Sequence, residues 1–488
     1  MKSLAKDTAI YGLSSIVGRF LNYLLVPLYT NVISVASGGY GIVTNLYAYV
    51  ALILVLLTFG METTFFRFAN KEDENPHCVF STSMAVIAAL TAMFLAIVFL
   101  GIDPISNVLH YTDHKIYILM MACVVSLDAI QAIPFSYLRY KKRPIKFAAL
   151  KMLFIVMNIG LNLLYFVWLG KTDVFYIFAL NLVCTGFITF FFIPEFAHEH
   201  VAARAYCKER GIEFKIVDFA LLRRMLSYSW PILVLGVAGI LNQTVDKMIF
   251  PLVYPDHAEG TVQLGIYGAC VKIAMIMSLL TQAFRYAYEP IVFSDSKDRG
   301  SPQTLADGMK YFIIFTLLAY LAVVFYMPVL KYFVGKDYWE GLGVVPIVML
   351  AEILMGIYFN LSFWYKLTDK TWWGALISAI GAAVMIAFNI IFVPRMGYWA
   401  CAWGGLVGYG TAMMLSFLIG RKKFPVKYDY KSIGSCAIMA AVLYMASQIP
   451  SFMGLSLPTW LTLCLNTVLL AIYCLPLGMK FIKSRRRI

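Results

Sequence analysis

Charge is the commodity this chain lacks. Only 14% of its 488 residues are Asp, Glu, Lys or Arg, against 61% hydrophobic residues and a mean hydropathy of +0.77. That balance excludes an ordinary water-soluble domain. Histidine is scarce too. His77, His110, His114, His198, His200 and His257 lie scattered in predicted loops, and none forms an HExxH zinc helix. There is no GxxxxGK[ST] loop, no GxSxG elbow and no acidic pair at metal spacing, so the common signatures of NTPases, serine hydrolases and metalloenzymes are missing. The nine Cys residues form no CxxC pair, and most fall inside apolar stretches, where they read as small packing residues. No long hydrophilic loop exists from which a catalytic domain could be cut. The chain is therefore expected not to be an enzyme, and no cofactor or metal is expected.

What fills the space is hydrophobic sequence in runs of about 20 residues, the length that crosses a bilayer core of about 30 Å. Fourteen segments are predicted: 7–33, 40–66, 79–101, 115–138, 146–169, 174–196, 218–252, 264–293, 308–330, 341–365, 371–394, 398–420, 430–449 and 458–482. The expected fold class is all-α integral membrane. Lys2 and Lys6 ahead of an apolar run mimic a secretory signal, but the run continues to about Val32 without a small-x-small cleavage site. It reads as a retained first helix.

The net charge of +14 invites a nucleic-acid reading, but its placement does not. Basic residues concentrate in alternate loops, namely Arg139 to Lys146, Arg204 to Arg224, Arg421 to Lys431 and the tail from Lys480 to Arg487. This is the asymmetry of cytoplasmic loops, so both termini are expected in the cytoplasm and no nucleic-acid partner is expected.

An internal repeat is also legible. Gly39-Tyr40-Gly41 opens the second segment and Ile266-Tyr267-Gly268 the eighth. With Tyr40 set against Tyr267, Glu62 and Glu289 fall at equal distances downstream. Both copies run in the same direction, as in a parallel repeat about the membrane normal. The expected organisation is an N-lobe at 1–200, an interlobe linker at 201–217, a C-lobe at 218–420, and a final helix pair with basic tail at 421–488. Charge in the linker suits a cytoplasmic surface helix acting as hinge, or equally a solvated connection.

The few charges inside apolar segments mark candidate functional residues. An ionisable group at bilayer depth costs at least about 2.5–3.5 kcal/mol, so it faces a wet cavity or a partner. On the first helix Thr8, Gly12, Ser15, Arg19 and Asn22 share a face. On the seventh, Ser229, Gly236, Gly239, Gln243 and Asp246 do, with Lys247 adjacent. On the eighth, Ser278, Gln282, Arg285 and Glu289 form a stripe flanked by Lys272. Small and hydroxyl residues also serve close helix packing, but packing does not require Arg19. With the second segment, which carries Glu62, these make four segments that suggest one polar cavity between two lobes. Arg285 and Glu289 are four apart and can pair within the helix. Glu62 and Glu289 fit a cytoplasmic mouth, or solvated interfacial positions. Glu352 on the tenth segment, like Asp128 on the fourth, suits a proton or sodium site or a hydrogen bond to a neighbouring helix.

The stretch from Gly18 to Arg67, with Pro27-Leu28-Tyr29, Tyr40-Gly41 and the run Gly60 to Arg67, resembles the opening of bacterial polysaccharide flippases. These belong to the multidrug/oligosaccharidyl-lipid/polysaccharide exporter superfamily. Pro134 to Arg143, Asp246-Lys247, Ile266-Tyr267-Gly268 and Lys366 to Thr371 extend the resemblance along the chain. It implies a MATE-like, V-shaped bundle alternating between inward- and outward-facing states. The implied activity moves an undecaprenyl-diphosphate-linked oligosaccharide from inner to outer leaflet of the bacterial inner membrane, for lipopolysaccharide or capsule synthesis. By this resemblance Arg19, Lys247, Lys272 and Arg285 would hold the anionic headgroup, and Asn22, on the same face as Arg19, is counted with them. Ser15, Glu62, Gln243, Asp246, Gln282, Glu289 and Glu352 would line the cavity, gate it or couple it to H+, Na+ or the membrane potential. Glycan polymerases or glycosyltransferases are the protein partners implied. The acids Glu62, Asp246 and Glu289 depart from a purely cationic site. A cation-coupled multidrug exporter of the same superfamily is the competing expectation.

Overall fold

The computed structural model describes residues 23–211, 215–294, 302–368, 370–455 and 457–485. Among the described residues the chain is helical, with no strand. Among these residues twelve helices are long and apolar enough to cross a membrane, from Gly39–Ala69 to Tyr430–Pro450. They correspond to the second through thirteenth predicted segments. The first segment is represented by its C-terminal end, Leu25–Val32, and the fourteenth by Thr459–Arg485, whose apolar part is Thr459–Leu475. The chain is a multi-pass membrane protein.

Local chemistry explains where these helices begin and break. Asn75 caps Pro76–Leu100 by accepting from His77 N and Cys78 N, with Pro76 supplying a preset first turn. Asp218 caps Phe219–Val253 in the same way through Ala220 N and Leu221 N. The second segment, expected as one span, breaks into Gly39–Thr58 and Met61–Ala69. Phe59 (φ 49°) and Gly60 (φ 67°) are both left-handed there. A Cβ on Gly60 would sit 3.1 Å from Ile232 and 3.2 Å from the Ser229 carbonyl, so the position suits glycine for space as well as backbone. The break sets Glu62 in the first turn of the shorter helix.

The chain divides into two compact units, residues 1–264 and 265–488. In the first, Phe219–Val253 packs along Gly39–Thr58. Asn45 Nδ2 donates to Lys247 O (2.7 Å) and Met248 O (3.3 Å), and Tyr49 Oη to Met248 O (3.1 Å). Tyr111 Oη completes the cluster by donating to Asn45 Oδ1 (3.1 Å). A core around Met61, Phe65, Ile87, Val125 and Ile133 fills the region nearer Glu62.

The segment expected as a linker carries the helix Ile193–Glu209, which packs on Pro76–Leu100. Its docking point is Glu199, whose side chain is fully buried. Tyr137 Oη donates to Glu199 Oε1 (2.5 Å), and the Nδ1 atoms of His77 and His198 lie 2.6 and 3.0 Å from Oε2 and Oε1. Glu195 pairs with Lys146 beside it. Glu195, His198, Glu199, His200, Arg204, Lys208 and Glu209 make this helix too polar for hydrocarbon, so the membrane segment ends near Pro194.

In the second unit, Val345–Leu361, Trp372–Met396 and Trp399–Lys423 pack tightly. A Cβ on Gly408 would lie 2.9 Å from the Gly381 carbonyl, the close helix approach that small residues permit. The last two helices, Tyr430–Phe452 and Thr459–Arg485, are fastened to Pro302–Phe325. Asn466 Nδ2 donates to Phe325 O (2.8 Å), Tyr473 Oη to Ile314 O (3.3 Å), and Lys310 pairs with Asp429 (2.8 Å).

Candidate functional site

Ser15, Arg19 and Asn22 lie outside the described residues. Glu62, Gln243, Asp246 and Lys247 belong to the first compact unit; Lys272, Gln282, Arg285, Glu289 and Glu352 belong to the second.

On Phe219–Val253 the candidate cation has a counter-charge next to it. Asp246 is buried, and Lys247 Nζ lies 3.1 Å from both of its carboxylate oxygens. The same ammonium donates to Gln243 O (3.1 Å) one turn earlier. Gln243 thus contributes its backbone carbonyl, while its side chain is exposed. Burying a lone carboxylate would be prohibitive, and the adjacent lysine offsets part of that cost for Asp246.

On His257–Ser294 the stripe closes into a charge cluster. Arg285 Nη2 lies 3.6 Å from Glu289 Oε1, the within-helix pair expected from their spacing. Lys366 Nζ, from the end of the tenth span, donates to the same oxygen (3.3 Å). The Arg285 guanidinium also sits over Phe359, 4.4 Å from the ring centroid. Two cations on one carboxylate leave this cluster with one net positive charge. Lys272, Gln282 and Glu352 are half-buried on His257–Ser294 and Val345–Leu361.

The first unit holds a counterpart. Glu62 Oε2 accepts from Arg139 Nη2 (3.3 Å), and Arg139 also donates to Ser136 Oγ (3.1 Å) and lies 5.0 Å from the Phe66 ring centroid. Glu62 to Arg139 and Glu289 to Lys366 have the same chain separation, 77 residues. Tyr40 and Tyr267, Glu62 and Glu289, and Arg139 and Lys366 are each 227 positions apart. The repeat therefore extends beyond two aligned letters. In both halves a glutamate at the end of one span is held by a cation at the end of the span two further on. Arg139 and Lys366 are functional candidates absent from the sequence-derived site, although both lie inside motifs that carried the family resemblance. The constant offset was the signal that pointed to them.

None of the curated proteins matches the sequence. Among solved structures, the chain is similar to the lipid II flippase MurJ in an inward closed conformation, with TM-score 0.71 and 15% identity over 97% of this chain and 99% of that one. It is also similar to an inward-facing multidrug resistance MATE family transporter of the MOP superfamily (TM-score 0.59, 14% identity, 85% and 94% covered). A MOP superfamily transporter from Pyrococcus furiosus shares the fold as well (0.53, 12%, 86% and 95%). At these identities the likeness is one of fold. A family model described as "Polysaccharide biosynthesis protein" matches residues 4–293. That match spans more than half of the sequence, and by it the chain belongs to the polysaccharide biosynthesis protein family.

Proposed function

We propose that this protein is an alternating-access flippase. Its substrate is an undecaprenyl-diphosphate-linked oligosaccharide, carried from the inner to the outer leaflet of the bacterial cytoplasmic membrane for cell-surface polysaccharide synthesis, with both termini in the cytoplasm and no catalytic step. The observation that carries the reading is the family match joined to the full-length likeness to the lipid II flippase MurJ. The structures titled as MATE transporters cover 85–90% of the chain.

The headgroup is multiply anionic, and Arg and Lys supply the donors that suit it. Arg19, Asn22, Lys247, Lys272 and Arg285 are the residues assigned to hold it. Lys247 and Arg285 stand beside Asp246 and Glu289, so binding the diphosphate is an exchange of counter-ions rather than capture by bare charges. A carboxylate released in that exchange is free to take a proton or a sodium ion, which links transport to an ion gradient.

The test is a leaflet-translocation assay in vesicles containing a lipid-linked oligosaccharide. Lys247→Met, Lys272→Met and Arg285→Met should each abolish movement while the protein still inserts. The MATE likeness supports a second reading, a cation-coupled drug exporter using Asp246 and Glu352. In that case the three variants would leave export largely intact, and Asp246→Asn would stop it.

A further inference from the structure

A cavity of about 620 Å³ lies in the second unit, among the end of Pro302–Phe325, the turn after it and the last two helices. Its volume is within the range of about 300–1,000 Å³ typical of small-molecule sites. None of the residues assigned to the headgroup lines it. One part is polar: Lys331 from the turn, Ser447 and Gln448 from Tyr430–Phe452, and Asn466 from Thr459–Arg485. The rest is aliphatic, including Met327, Leu455 and Leu465.

Lys331 is the informative residue. Its ammonium lies 4.5 Å from the Trp339 ring centroid and 5.3 Å from that of Tyr332. Among the described residues it has no carboxylate at ion-pair distance, unlike Lys247 and Arg285. Asn466 is 5% exposed; its Nδ2 is used by Phe325 O, while its Oδ1 has no hydrogen-bond partner. The polar end thus offers a cation without its own counter-charge and a carbonyl oxygen without a donor.

The cavity lies at the end of these helices opposite the basic segments Arg421 to Lys431 and Lys480 to Arg487, which makes this the outer face. Tyr332 and Trp460 are each 67% exposed at this end, as in an interfacial aromatic belt. A basic pocket between helices at headgroup level, with an aliphatic wall beside it, matches a phospholipid rather than a soluble ligand.

We propose that this cavity is a binding site for the phosphate headgroup of an outer-leaflet lipid. The phosphate pairs with Lys331, a hydroxyl or ammonium of the head faces Asn466, and the start of a chain lies along Met327, Leu455 and Leu465. A resident phospholipid and a lipid-linked saccharide that has just crossed share this chemistry.

The test is native mass spectrometry of the delipidated full-length protein, titrated with phosphatidylglycerol, with undecaprenyl phosphate and with diacylglycerol. Both phosphate lipids, or phosphatidylglycerol alone, should bind the wild type, with diacylglycerol much weaker. Lys331→Glu should weaken phosphate-lipid binding about tenfold or more, the loss of one charge-assisted contact, and Lys331→Arg should retain it. Met327→Trp, which fills the aliphatic part, should weaken it independently should Lys331→Glu fail to fold. Undecaprenyl phosphate displaced by phosphatidylglycerol identifies a substrate exit site; phosphatidylglycerol binding alone identifies a resident lipid. Equal binding to wild type and Lys331→Glu, equal binding of diacylglycerol, or no binding of either phosphate lipid overturns the proposal. None of these readouts depends on translocation, so failure of the flippase reading is seen separately.

Discussion

Glu289 and Lys366 do not contribute equally to their ion pair, and the inequality is measurable. Lys366 Nζ and Arg285 Nη2 lie 3.3 and 3.6 Å from the same glutamate oxygen. At an effective dielectric of about 20, each attraction is gross about 5 kcal/mol. The three side chains are only 29% to 37% exposed. Desolvation, side-chain ordering and screening reduce each pair to a net of about 1 kcal/mol. Lys366→Met removes one attraction, and Arg285 still neutralises Glu289, so about 1 kcal/mol is lost. Glu289→Gln removes both attractions and leaves two cations no more than about 7 Å apart, a separation set by their shared oxygen. At a dielectric of 20 that repulsion is gross about 2 kcal/mol, and the total loss is about 2–4 kcal/mol.

The order of mutation supplies the sharper test. Once Glu289 is Gln, removing Lys366 relieves repulsion, so Lys366→Met changes sign and becomes neutral or stabilising. Thermal unfolding of the detergent-purified chain reads this at about 2–4 °C per kcal/mol. Expected shifts are a few degrees for Lys366→Met, more than twice that for Glu289→Gln, and no further fall in the double variant. A double variant less stable than Glu289→Gln alone would refute the shared-oxygen reasoning.

Glu62→Gln should cost less, about 1 kcal/mol or under, because Glu62 and Arg139 are 46% and 36% exposed and Phe66 still receives the guanidinium; the same thermal scan checks it. Gly60→Ala should lower the unfolding temperature measurably, since a left-handed residue gains a Cβ 3.1 Å from Ile232, and a loss below about 0.5 kcal/mol would show that the break can relax. Glu199→Gln should speed amide exchange in Ile193–Glu209 about tenfold by weakening three hydrogen bonds. Burial pushes the Glu199 carboxyl upward, but the bonds from His77, Tyr137 and His198 overcome it and hold it at about 2. A carboxyl depressed in the folded state stabilises above its unfolded value of about 4.3 and loses that contribution as pH falls toward about 2. Protection of this helix should therefore fall across that window in the wild type and not in Glu199→Gln. Asp246→Asn should strengthen binding of undecaprenyl diphosphate, read by tryptophan fluorescence titration, because Lys247 loses its built-in competitor.

The helical class and the span positions were legible because twenty-residue apolar runs have one solution in a bilayer: backbone groups must bond within their own segment. The break at Phe59-Gly60 was hidden, since a lone glycine inside an apolar run carries no sign of its φ. Docking of Ile193–Glu209 was hidden for another reason. His77, Tyr137 and Glu199 are far apart in sequence, and only tertiary packing brings them together. Hydropathy marks a charge as unusual but cannot name its partner. It singled out Lys247 and Arg285, yet the carboxylates beside them were legible only as sequence neighbours at one and four residues. Lys366, which also holds Glu289, comes from a different helix.

The two halves differ in a way that bears on transport. Glu62 has one cation among the described residues, whereas Glu289 has two, so the repeat preserves the brace but not the charge. A matched brace ties the ends of two spans together in each half, a role that tolerates any ion pair of adequate length. Surplus positive charge serves no brace. In the second unit it accumulates where Arg285 stands over Phe359, and on the flippase reading a headgroup that displaced Glu289 from Arg285 would leave Lys366 to retain the glutamate. Asp246, by contrast, is buried beside Lys247, so the proposed exchange there must release a carboxylate from a buried position. That step is costly for a charged acid and far cheaper for a protonated one. On the flippase reading Asp246 is therefore the better place to couple substrate binding to a proton, and Glu289 the better place to bind without one.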